Sequence, residues 1–166
     1  MNNKLKKQLI ALAKRDQQAT KHGKRADLVY RENVNQLKKI VEKYGWPKIS
    51  EVGLKGVEAA WLVAQHADFD LEFQKKALKA IKRLARCNEV SYWQIAYLTD
   101  RILINQKKKQ IFGTQFYKTK NSKIKLKPTE NLKNLNERRK KFSLPPIEEY
   151  KKILLRKNYE NNNKEG

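Results

Sequence analysis

The chain has little of what specialised covalent chemistry needs. Cys87 is its one cysteine, so an internal disulfide and a multi-cysteine zinc site are both excluded. Histidine occurs twice: His22 sits among lysines in a turn, a poor second ligand for His66, so no metal is expected. Apolar runs last only a few residues, too short for a membrane-spanning helix. The opening Met1-Asn2-Asn3-Lys4-Leu5-Lys6-Lys7 leads into a mixed polar helix and not an apolar signal core, so a cytoplasmic location is expected. Acidic residues are scarce as well, 17 against 39 Lys and Arg, for a net charge of +22. The sequence names no cofactor.

Thirty of the cations are lysine, and A/T-rich coding favours Lys and Asn without any binding role. The distribution is more informative: residues 1–50 carry +9, residues 51–100 carry 0 and residues 101–166 carry +13. Basic flanks around a neutral middle would draw nucleic acid through counterion release.

The 166 residues suit one domain, and periodicity makes it mainly α. Leu5, Leu9, Leu12 and Ala13 share a face over 4–22, and Val34, Leu37, Ile40, Val41 and Tyr44 do so over 26–44. Gly45 and Trp46-Pro47 end the second helix. Residues 55–67 are apolar nearly all round, as in a central helix. Asp70 predicts the cap of a helix over 71–86, and Ser91 the cap of the next. Ile102-Leu103-Ile104 and Ile111-Phe112 then flank polar Gln106 to Lys109, which predicts a small β-hairpin near residues 101–117, with Gly113 at a bend. Thr129 predicts a cap for a helix reaching Phe142, and a last helix follows Pro145-Pro146. The reading is a single helical domain over 1–157 with a polar, disordered tail over 158–166.

An ordered set of segments carries a resemblance. Asp16-Gln17, Asn33-Val34-Asn35, Gly45-Trp46-Pro47, Gln65-His66-Ala67-Asp68, Leu98-Thr99-Asp100-Arg101 and Gly113-Thr114-Gln115 follow one another. The chain resembles, over about residues 10–155, a bacterial family of unknown function marked by GWP, QHAD, LTDR and GTQ segments in that order. The resemblance implies positions and no reaction. Gln106 to Lys109 depart from its pattern, which often has Gly and Pro there.

Histidine changes charge near neutral pH, so His66 suits general acid–base work. Asp68 or Asp70 could orient its ring, although Asp70 serves more simply as a cap. Asp100 could orient a base, and Arg101 could fork onto a phosphate or carboxylate. Gly113-Thr114-Gln115 offers amides, a hydroxyl and a side-chain amide to an oxyanion. Asp16-Gln17 lies on the polar side of the first helix, buried only if another helix covers it. Trp46 and Trp61 read as core, whereas Tyr92-Trp93 could stack on a ring.

The favoured expectation is hydrolase- or transferase-type chemistry on a small anionic or amide-bearing substrate. His66 and Asp100 would be catalytic, and Arg101, Thr114, Gln115, Asp68, Gln65, Asp16 and Gln17 would bind the ligand. The alternative is a nucleic-acid-binding module using Lys107, Lys108, Lys109, Arg138 and Arg139, or a protein-interaction domain.

Overall fold

The computed structural model describes residues 1–22, 26–119 and 123–162. It is mainly α with a small β-hairpin, as the periodicity predicts. Helices run α1 Asn3–His22, α2 Ala26–Tyr44, α3 Ile49–Gln65, α4 Leu71–Ala85 and α5 Tyr92–Asn105. Strands β1 Phe116–Lys118 and β2 Ile124–Leu126 follow, then a 3-10 turn, α6 Leu135–Lys140 and α7 Ile147–Asn162. The chain divides into two compact units, Met1–Leu98 and Thr99–Gly166. Among the described residues, no helix is long and apolar enough to cross a membrane.

In the first unit α1 packs along both α2 and α3. Leu5, Leu9 and Leu12 of α1 are buried, as are Val34 and Leu37 of α2 and Val57, Ala60, Val63 and Ala64 of α3. Small side chains on α3 suit this close approach. α3 begins at Ile49, earlier than its apolar run suggests, with a kink at Gly53 whose φ of 69° suits glycine. Gly45, at φ 76°, ends α2, and its amide bonds the Val41 carbonyl. Asp70 caps α4 as expected, accepting from the Phe73 amide at 2.9 Å. At the start of α5 the Gln94 side chain reaches back to the Ser91 amide at 3.3 Å, the return half of a capping box. Trp46 is buried. Trp61 is half-buried, and it meets Trp93 and Tyr97 edge-on.

The hairpin lies later than the sequence predicts. Ile102-Leu103-Ile104 continue α5, because Ile95, Leu98 and Ile102 recur at helical spacing on one buried face. Packing at that period outweighs the β preference of the isoleucines. The antiparallel pairing joins Phe116 to Leu126 and Lys118 to Ile124 instead. Thr129 is no helix cap: its hydroxyl donates to the Lys127 carbonyl at 2.8 Å, and a parallel bridge ties it to Gln110. α7 continues to Asn162 through the first part of the stretch expected as a tail, and residues 163–166 lie outside the described residues.

Candidate functional site

His66 follows the last turn of α3 and caps it, with φ −91° and ψ 6°. Nearby, Gln74 of α4 donates to the Ala64 and Gln65 carbonyls, each at 3.2 Å, and to Asp68 at 3.3 Å. These bonds satisfy carbonyls that a helix end leaves open. They also fix the turn that presents the imidazole.

The Nδ1 atom of His66 contacts Asp16 Oδ2. Leu5, Leu9, Leu12 and Asp16 fall on one stripe of α1, so Asp16 is carried to the inner face that α2 and α3 cover. Its side chain has no solvent exposure, whereas that of His66 keeps 24%. Asn33 of α2, also fully buried, donates to Asp16 Oδ1 at 3.3 Å and to the Leu12 carbonyl at 3.1 Å. The Tyr30 ring lies 5.1 Å from the imidazole, tilted by 46°. Its hydroxyl shares a hydrogen bond of 2.8 Å with Thr20, and Thr20 donates to the Asp16 carbonyl at 3.0 Å. A buried carboxylate, an oriented imidazole and two hydroxyls therefore gather where α1, α2 and the end of α3 meet.

The second unit holds its own buried carboxylate. Asp100 accepts from the amides of Ile111 at 2.8 Å, Phe112 at 3.0 Å and Thr114 at 2.9 Å, and from the Thr114 hydroxyl at 2.9 Å. Burial pushes the Asp100 carboxyl above the usual aspartate range, and those same hydrogen bonds oppose the shift. Gln110 extends the lacing, donating to the Gln115 and Lys127 carbonyls at 3.0 Å and accepting from the Gln115 amide at 2.8 Å. Arg101 donates to Gln115 at 3.4 Å, and Gln115 donates to Thr114 at 3.1 Å.

These contacts correct several sequence expectations. The carboxylate on His66 is that of Asp16, and not Asp68, Asp70 or Asp100. Asp70 is occupied by its helix cap and by Lys38, Asp68 by Gln74, and Asp100 by the 111–114 backbone. The Thr114 and Gln115 amides, expected to face an oxyanion, are taken by Asp100 and Gln110. Gln65 is buried and Gln17 exposed, and neither joins the His66 cluster. Arg138 donates to the Ile111, Asn131 and Glu130 carbonyls. Arg139 is fully buried and donates to the Phe112 carbonyl at 2.7 Å and the Pro145 carbonyl at 2.7 Å. Both arginines clamp the 111–113 segment, which removes Arg139 from any nucleic-acid contact. Lys107, Lys108 and Lys109 are exposed.

Sequence reasoning missed Asn33, Tyr30 and Thr20 as site residues. Asn33 was detectable: it shares the apolar spacing of Leu37 and Ile40, and a polar residue on a core face needs a buried partner. The Tyr30 ring and the Thr20 hydroxyl gave no such signal.

No curated protein and no solved structure matches the chain. The model of one family of unknown function, DUF6624, matches residues 2–164, and the chain belongs to that family.

Proposed function

We propose that the chain is a small cytoplasmic enzyme in which His66, held by Asp16, moves the proton in a hydrolase- or transferase-type reaction. One observation carries this reading: a carboxylate with no exposure meets the ring nitrogen of an imidazole that solvent still reaches. A histidine kept for packing needs one hydrogen-bond acceptor, and a backbone carbonyl would serve. A buried charge costs several kcal/mol unless it is well paired, so a carboxylate there calls for a stronger reason. It holds Nδ1 as the protonated nitrogen and leaves Nε2 as the basic one. It also stabilises the imidazolium that forms when Nε2 takes a proton.

The roles follow. His66 Nε2 is the base or acid, Asp16 orients the ring, and Asn33 fixes the second carboxylate oxygen. The Tyr30 ring lies against the imidazole, and its hydroxyl bonds that of Thr20, which donates to the Asp16 carbonyl. Both hydroxyls therefore support the Asp16–His66 pair, and the substrate we propose for it is a small amide-bearing or anionic one. The test is a panel of chromogenic esters, anilides and phosphate esters run against wild type, His66→Gln and Asp16→Asn. Turnover is expected to fall about 10²–10⁴-fold in His66→Gln with thermal unfolding little changed. Full turnover by a folded His66→Gln variant, or none by wild type across the panel, would count against the assignment.

A further inference from the structure

The neutral charge of the middle third conceals a sharp local asymmetry. Between residues 75 and 86 the chain carries Lys75, Lys76, Lys79, Lys82, Arg83 and Arg86 and no acidic residue. No other twelve-residue stretch holds six cations without an acid, so this density exceeds the chain's lysine-rich background. At about 100° per residue, all six fall within an arc of about 120° on the helix surface. Phe73, Ala77, Ile81 and Leu84 occupy the opposite, buried side. All six cations are exposed, and Lys75 forms an ion pair of 2.7 Å with Glu72 at the N-terminal end of the row. The row spans about 16 Å along the helix axis.

A groove of about 450 Å³ runs beside this row, between α2 and α4. Its lining includes Val41, Trp46, Phe73, Ala77 and Ala80, with Glu42, Glu72 and the Lys38–Asp70 ion pair also on it. A shallower hollow of about 270 Å³ adjoins it, lined by Lys76, Lys79, Ala80 and Arg83. Lys76 and Ala80 line both, so the apolar groove opens directly onto the cationic row.

We infer that the exposed face of α4 and the adjoining groove bind single-stranded nucleic acid, phosphates along the lysine row and a base in the groove. A polyanion fits a continuous line of cations with no acid among them. The apolar floor selects the single strand, since an unpaired base can turn into a groove while a duplex keeps its bases stacked inside. Lys38 and Glu42 supply a donor and an acceptor for the edges of such a base. Binding at this face is independent of the proton-transfer role of His66.

Fluorescence anisotropy of the full chain with labelled single-stranded RNA and DNA tests it. Lys76→Glu/Lys79→Glu/Arg83→Glu is compared with Lys107→Glu/Lys108→Glu/Lys109→Glu, which changes the net charge equally. The α4 variant is expected to weaken binding at least tenfold and the control less than threefold. The slope of log K against log salt should fall by about 2 in the α4 variant alone, because each phosphate left without its cation removes about 0.7. Ala80→Trp, which fills the groove, should abolish the preference for single strand over duplex, with circular dichroism checking the fold of every variant. Equal losses in the two triple variants, equal wild-type affinity for duplex, full displacement by polyglutamate, or no binding at low salt would each overturn the inference.

Discussion

Asp16 and Asp100 are both carboxylates with no exposed surface, yet their surroundings differ in kind. Asp100 is enclosed by the amides of Ile111, Phe112 and Thr114 and the Thr114 hydroxyl, all from one segment of its own unit. Asp16 contacts a half-buried imidazole and one buried asparagine. The first arrangement holds a loop in shape. The second holds a titratable ring in one orientation at a solvent-accessible place. Burial of an acid is therefore not by itself a sign of chemistry: what accepts or donates at its oxygens decides.

Three substitutions sharpen or break that contrast. Asp100→Ala should have the largest effect on stability, because it strands several buried donors at about 1–3 kcal/mol each. A loss of about 4 kcal/mol or more in chemical denaturation is expected, and a loss under about 1 kcal/mol would refute the architectural role. Asp16→Asn keeps the shape and removes the charge, so about 1–3 kcal/mol of stability should go. Its turnover, measured on any substrate the panel identifies, should drop much further than that of a folded Asp100 variant.

Asp70 supplies the mildest case. Lys38, and after it the Phe73 amide, hold its carboxyl below the ordinary 3.8. Asp70→Ala removes a helix cap and should cost about 1 kcal/mol. Because the folded value is lowered, this stabilisation is present above 3.8 and is lost as pH falls through the lower folded value. Denaturation midpoints of variant and wild type should converge in strong acid, and a gap that widened there would contradict the assignment.

Much of the helical frame was legible because burial imposes period. The stripe of Leu5, Leu9 and Leu12 runs on to Asp16, which corrects its expected place on the polar side of α1: of Asp16 and Gln17, only Gln17 stays exposed. The Val34, Leu37 and Ile40 face includes Asn33. The hairpin was misplaced because Ile102-Leu103-Ile104 favour a strand locally while packing keeps them helical. The Arg138-Arg139 run reads as surface, since nothing local reveals carbonyls at Ile111, Phe112 and Pro145 waiting for a guanidinium. The pairing of His66 with Asp16 spans 50 positions, and no spacing rule encodes a contact between the body of one helix and the cap of another.

The most direct measurement is the tautomer of neutral His66, read by long-range proton–nitrogen-15 NMR with His22→Gln to assign the two rings. The proton is expected on Nδ1, and Asp16→Asn is expected to abolish this preference. A proton on Nε2 in the folded wild type, unchanged in Asp16→Asn, would contradict the proposed pairing: Asp16 would not set the ring, and Nε2 would not be the base.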